Sequence, residues 1–273
     1  MIDLIRLLRP STSFLAAISS LATSFIVAGN NIFTLWLPAL LGFVVVFLIN
    51  AAGCALNDYI DRKTDKINNP KRPIPSGKVK PNDAKYLSAI LFVSSIIIAS
   101  LINQTCFLIA LLAVIALLLY ETKLKKIIAI NNLSIGFLAG LTFVFGGFAV
   151  GMTSVIYLIA AIAFSATTAR EITKDMADVR GDKLKITIPR EFGLKNAVFI
   201  SSFIYAIALI ISPFPYLLGF FNWTYLPLVA IADLGFIYVI WMQKNNAKKA
   251  VKIAKLSMYL AILAFLAGAF VSI

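Results

Sequence analysis

The sequence predicts an all-α, polytopic membrane protein with nine transmembrane helices around a central cavity and cytoplasmic loops capping one end. Three observations predict it. Hydrophobic residues make up 60% of the 273-residue chain and charged residues only 14%, against roughly 45–50% and about 25% in soluble domains. Apolar runs long enough to span a bilayer as helix, which takes about 17–25 residues, recur nine times. All 25 lysines and arginines fall before the first run or in every second connection.

The runs lie at about 11–29, 34–56, 86–102, 105–120, 127–150, 154–170, 196–213, 223–243 and 256–273. Asn103-Gln104-Thr105 is the only break between the third and fourth, and reads as a tight hairpin turn. Gly151-Met152-Thr153 parts the fifth from the sixth. The first run is too long for a cleavable signal peptide and is followed by many more, so none is expected. Gly136 and Gly140, at G-x-x-x-G spacing, and Gly146-Gly147 read as close helix packing.

The basic residues set the orientation. Arg6 and Arg9 precede the first span, and dense groups follow the second, fourth, sixth and eighth. Nine spans put all of them on one face, which the positive-inside rule makes cytoplasmic. A multi-pass protein of the cell membrane is expected, with its N-terminus inside and its C-terminus outside. The net charge of +13 is then chiefly a topology signal, with attraction to anionic membrane lipids and no nucleic-acid partner. There is no histidine, which excludes imidazole bases and histidine metal sites. Cys54 and Cys106 fall near opposite faces, roughly 30 Å apart across the bilayer, too far for a disulfide.

Seven of the twelve acidic residues fall in two places on the basic face. The second span runs into Asn57-Asp58-Tyr59-Ile60-Asp61-Arg62-Lys63-Thr64-Asp65, and the sixth into Lys174-Asp175-Met176-Ala177-Asp178-Val179-Arg180-Gly181-Asp182, preceded by Glu171. Both contain D-x-x-D-x-x-x-D. On a helix these spacings place three carboxylates in a line on one face. Such repulsion, repeated, suits a hard divalent cation with oxygen ligands, and two Mg²⁺ ions could bridge a diphosphate between the segments. Asp3, Asp83, Glu121 and Glu191 read as solvated surface. Asp233, inside the eighth span, is a substrate contact, a helix-packing hydrogen bond or part of a wet kink. Pro70, Pro73, Pro75, Gly77 and Pro81 forbid one continuous helix over 66–85, making a candidate lid whose counterpart is 183–195. Some of the 21 phenylalanines could line a pocket that shields a carbocation.

At these segments the sequence resembles the UbiA-type intramembrane prenyltransferases. The first signature resembles Asn57, Asp58, Asp61 and Asp65 followed by Lys71-Arg72-Pro73-Ile74-Pro75-Ser76-Gly77; the second resembles Asp175, Asp178 and Asp182. Arg170-Glu171-Ile172, Lys174-Asp175, Gly181-Asp182 and Tyr120-Glu121-Thr122-Lys123 look most like the archaeal digeranylgeranylglyceryl phosphate synthase subgroup. The resemblance covers nearly the whole chain and implies one domain, 1–273, with cap loops at about 57–85 and 171–195. It implies Mg²⁺-dependent transfer of a geranylgeranyl group from a polyprenyl diphosphate donor to the hydroxyl of a lipid-phosphate acceptor. Asn57, Asp61 and Asp65 would hold one Mg²⁺, with Asp58 a weaker ligand, and Asp175, Asp178 and Asp182 the other. Asp61, Asp65, Asp178 and Asp182 are the expected catalytic residues. Arg72, Lys123, Lys125 and Lys174 would bind the diphosphate, and Arg62, Lys66 and Arg9 the acceptor phosphate. An aromatic acceptor of the quinone or chlorophyll type is the nearest alternative. A cation-coupled transporter is the alternative from another class.

Overall fold

A computed structural model describes residues 2–179 and 186–270. Among them, nine helices are long and apolar enough to cross a membrane. In chain order the helices are α1 (Ile2–Leu7), α2 (Pro10–Ala28), α3 (Trp36–Ile60), α4 (Arg62–Asn68), α5 (Pro81–Ile102), α6 (Gln104–Thr122), α7 (Ile130–Val150), α8 (Val155–Asp178), α9 (Ile188–Glu191), α10 (Gly193–Ile211), α11 (Phe214–Leu217), α12 (Tyr225–Met242) and α13 (Ala247–Phe270). The four shortest, α1, α4, α9 and α11, lie outside the apolar runs or at their ends.

Several helices overrun the apolar runs that forecast them. α3 continues to Ile60, α8 to Asp178, and α13 begins at Ala247 rather than 256. Hydropathy stops at the first charges, but Lys, Arg and Glu are good helix formers. The backbone stays helical after the side chains leave the apolar layer. The cap therefore begins later than expected: 57–60 and 171–178 are helix, not loop. Proline sets other boundaries. Pro10 and Pro81 open α2 and α5, where the missing N–H is not needed, and Pro213 follows the end of α10.

The hairpin between α5 and α6 is as tight as expected. Asn103 caps α6, its side chain accepting from the Cys106 N–H at 2.8 Å. Its Nδ2 donates to the Phe148 carbonyl at 2.9 Å, tying the turn to α7.

Two apolar cores sit on either side of the packed pair α2 and α7. One joins α3, α5, α6 and α7 through Val45, Phe92, Cys106 and Phe145. The other joins α2, α7, α8, α12 and α13 through Phe143, Ile159, Tyr225 and Phe265. The glycines of α7 permit the close approaches between them. A Cβ on Gly146 would strike the Ser20 backbone carbonyl of α2, and one on Gly136 would strike the Thr168 hydroxyl of α8. Ser24 Oγ donates to the Gly146 carbonyl at 2.8 Å in the same seam. Large apolar side chains such as Phe33, Leu101, Phe199 and Trp241 are exposed on the outside, as lipid contact allows.

Asp233 has a structural explanation. Ser212 Oγ donates to its Oδ2 at 2.6 Å, and the Tyr225 hydroxyl donates to the Ser212 carbonyl at 2.6 Å. The carboxylate pins α12 to the end of α10 remote from the acidic segments. Cys54 and Cys106 are free.

Candidate active site

The first acidic segment starts on the last turn of α3 and passes through a turn at Asp61 into α4. The Asp61 N–H donates to the Asn57 carbonyl at 2.9 Å and the Asp65 N–H to the Asp61 carbonyl at 2.8 Å. The expected single line of carboxylates does not form; they divide between two sets of partners. Asp58 and Asp65, seven residues apart and so close to two helical turns, both turn inward and are 2% and 5% exposed. Arg9 donates to Asp58 Oδ1. Arg72 donates to Asp65 Oδ2 at 2.6 Å and reaches Asp58 Oδ1 at 3.4 Å. Asn69 Nδ2 completes the group, donating to Asp65 Oδ1 at 3.0 Å. Asp61 points to the other side, where Lys125 Nζ donates to its Oδ1 at 2.7 Å.

Arg9 adopts a left-handed backbone, φ 43° and ψ 64°, at the residue before α2. That conformation is uncommon for a residue with a Cβ, and here it accompanies a guanidinium set against α3. Burial by itself lowers the pKa of this guanidinium; the neighbouring Asp58 charge, with Cys54 and Asp65, reverses the effect and raises it. Arg9 stays charged at any physiological pH.

Glu121 was expected on the solvated surface. It is instead 4% exposed, in the last turn of α6. Its two carboxylate oxygens accept from Asn57 Nδ2 at 3.2 and 3.1 Å, and Oε2 accepts from Lys125 Nζ at 2.8 Å. The helix breaks at Lys123, φ −128° and ψ −55°, and the following 3₁₀ turn brings Lys125 back over the site. Asn57 Nδ2 also donates to Asp61 Oδ2 at 3.0 Å. One amide and one ammonium thus hold two carboxylates together.

The second segment ends α8. Asp175 Oδ2 accepts from Asn132 Nδ2 at 2.8 Å, and Asn132 is buried in the first turn of α7. Glu171 accepts from Arg170 at 2.8 Å and from Lys174 at 3.0 Å. Asp178 is exposed at the helix end; Asp182 lies outside the described residues. Tyr120, near the end of α6, lies near acidic side chains of both segments, Asp61 of the first and Glu171 and Asp175 of the second.

The remaining sequence-predicted cations are placed less centrally. Arg62 donates to the Tyr59 carbonyl at 2.7 Å and lies 4.6 Å over the Tyr59 ring. Lys66 and Lys123 are exposed. The lid folds onto the end of α3, with Ile74 and Val79 buried against Leu7, Ala55 and Ala84. A cleft of about 390 Å³, lined by Asn69, Pro70, Lys71 and Arg72, opens beside Asp65.

Among the described residues no three acidic or thiol side chains are grouped so as to hold a metal ion; Arg9, Arg72 and Lys125 occupy the carboxylates instead. The donor chemistry nevertheless fits Mg²⁺. Asp58, Asp61, Asp65, Asp175 and Asp178 offer carboxylate oxygens and Asn57 an amide oxygen, which is what a hard divalent cation takes. Glu121 and Asn132 are the residues that sequence reasoning missed. Glu121 ends an apolar run four residues before Lys125, a spacing that signals a pair. Asn132 carries no comparable mark.

Comparison with known proteins identifies relatives of the whole chain. Residues 16–268 match the UbiA prenyltransferase family. The chain is 43% identical to a digeranylgeranylglyceryl phosphate synthase from Methanosarcina mazei over 85% of this chain and 83% of that protein. A solved structure of a digeranylgeranylglyceryl phosphate synthase matches with a TM-score of 0.84 and 36% identity, covering 98% of each chain. A UbiA homologue from Archaeoglobus fulgidus, solved with GPP and Mg²⁺, has the same fold at a TM-score of 0.77 and 20% identity, over 99% of this chain and 100% of that one. The match to the family over residues 16–268, and the identity to relatives over most of their length, place this chain in the UbiA prenyltransferase family.

Proposed function

We propose that this chain transfers a geranylgeranyl group from geranylgeranyl diphosphate to the free hydroxyl of geranylgeranylglyceryl phosphate. The reaction forms the second ether bond of archaeal membrane lipids and releases diphosphate. The observation that carries this reading is the site itself. Carboxylates of two helix ends and the cations Arg9, Arg72, Lys125 and Lys174 gather at one end of an apolar bundle, in a chain 43% identical to a digeranylgeranylglyceryl phosphate synthase.

The residue roles follow from the chemistry. Asn57, Asp61 and Asp65, with Asp58, serve one Mg²⁺, and Asp175, Asp178 and Asp182 a second. Bound there, the ions would offset the negative charge that develops on the leaving diphosphate. Arg72, Lys123, Lys125 and Lys174 bind the same diphosphate through charge-assisted hydrogen bonds. Arg62, Lys66 and Arg9 hold the acceptor phosphate. Apolar helix walls keep water from the allylic carbon as it becomes cationic, and the acceptor oxygen attacks it. A carboxylate or the departing diphosphate takes the hydroxyl proton. The whole chain acts as one domain. Its basic face, with the active site and N-terminus, is cytoplasmic.

The test is an assay of radiolabelled geranylgeranyl diphosphate against geranylgeranylglyceryl phosphate and hydroxybenzoate. Label in the ether lipid and release of diphosphate are expected. Label only in the aromatic would replace the acceptor, and no diphosphate release would remove the enzyme reading.

A further inference from the structure

Two ion-pair networks serve the first acidic segment, and their charges do not balance alike. Asp58 and Asp65 meet Arg9 and Arg72, two carboxylates with two guanidinium groups. Asp61 and Glu121 share Lys125, two carboxylates with one ammonium among the described residues. Lys125 is 14% exposed and Glu121 4% at the side chain, so water screens this group little. A buried carboxylate short of counter-charge is unfavourable. With both carboxylates ionised, the second network has one negative charge more than Lys125 can offset, a charge that a bound cation would balance.

The hydrogen bonds say which carboxylate gives way. Asp61 is the more exposed, at 25%, and sits at the junction of α3 and α4. Glu121 is enclosed, and it also holds Asn57 by the amide nitrogen. That grip turns the Asn57 carbonyl oxygen the other way, toward Arg9 at 3.4 Å.

We infer that Glu121 is a positioning residue: it keeps Lys125 and the Asn57 amide in place when Asp61 turns from Lys125 to a divalent cation. The inference rests on the reading that Asn57 and Asp61 take such a cation. With Glu121 present, Lys125 releases one carboxylate and retains another. Without it, the ammonium has Asp61 alone and competes with the metal for that carboxylate. Asn57 also loses the partner that fixes which end of its amide faces outward.

The experiment uses the full chain in detergent with Mn²⁺ as the probe, free Mn²⁺ being read by electron paramagnetic resonance with no prenyl substrate present. Glu121→Gln keeps the length and the acceptor for Asn57 but cannot neutralise Lys125. It is expected to weaken Mn²⁺ binding about tenfold, as loss of outer partners of a metal site does. Adding Lys125→Gln to it removes the competitor and is expected to restore the affinity. In turnover, the single variant should regain kcat at high Mg²⁺. Unchanged Mn²⁺ affinity in Glu121→Gln overturns the proposal. So does a loss that the double variant fails to recover, which would make Glu121 a ligand itself. If Glu121→Gln shows no cooperative unfolding transition, Lys125→Gln alone supplies the second comparison: with the competitor gone it is expected to bind Mn²⁺ at least as tightly as the wild type, and weaker binding overturns the proposal. Because Mn²⁺ binding is read without substrate, a wild-type chain that binds Mn²⁺ but transfers no prenyl group counts against the proposed function and not against this inference.

Discussion

Asn132 donates its side-chain amide to Asp175 at 2.8 Å, fastening the first turn of α7 to the end of α8. The bond helps to direct a carboxylate proposed to hold Mg²⁺. Asn132→Ala is expected to lower kcat by roughly 10–100-fold, the range seen when outer partners of a metal ligand are lost. Steady-state assays at saturating Mg²⁺ check it; unchanged kcat would leave the bond a packing contact only.

Asp61→Ala and Asp178→Ala should each abolish diphosphate release while the protein still folds and inserts. The two residues belong to different helix ends, so their joint requirement tests whether both acidic segments act. Near-normal turnover in both variants removes the two-segment site.

Arg72 is the link between the lid and two buried carboxylates. Arg72→Ala leaves Asp65 without that ion pair, and breaking a buried pair costs about 3–5 kcal/mol; the partial exposure of Arg72, 33%, puts the expected loss at or below the lower end. Thermal unfolding in detergent should show a clear drop. A variant as stable as the wild type would show that the lid is held by Ile74 and Val79 alone.

Gly146→Ala tests the seam between α2 and α7. Its new methyl meets the Ser20 backbone rather than a movable side chain, and forcing an extra carbon into a packed interior costs about 1–3 kcal/mol. Unfolding midpoints measure this directly. Gly77→Ala is the comparison, since nothing lies within 4 Å of its added carbon; its φ of 76° predicts a smaller, purely backbone penalty.

Sidedness is open to labelling. Lys248→Cys should react only with a reagent admitted to the cytoplasmic face, and Thr153→Cys only with one outside, each in a background where Cys54 and Cys106 are serine. The reverse pattern would invert the topology.

Much of this architecture was legible because apolar length and the placement of lysine and arginine are one-dimensional signals. The nine spans needed no knowledge of contacts. Helix ends were harder: α8 carries Glu171, Asp175 and Asp178 as helix, and hydropathy alone cannot separate a helix leaving the bilayer from a loop. The acidic spacing at 58, 61 and 65 was visible, but its consequence was not. Which way each carboxylate turns depends on Arg9, Arg72 and Lys125, all distant or beyond a proline-rich turn in sequence. Glu121 looked like a surface acid because nothing local shows that Asn57, 64 residues away, lies against it.

The sharing of Asp58 between Arg9 and Arg72 bears on how tightly a phosphate can be held. Neither guanidinium waits as a bare charge. A phosphate group that captures one of them exchanges an existing contact for a new one, so the net gain is the difference between two similar interactions. The proposed phosphate affinity at these arginines is therefore expected to be modest compared with what a tally of positive charges suggests. The same exchange would run backwards on release: Asp58 would take back its arginine, so that neither half-exposed guanidinium is left without a partner.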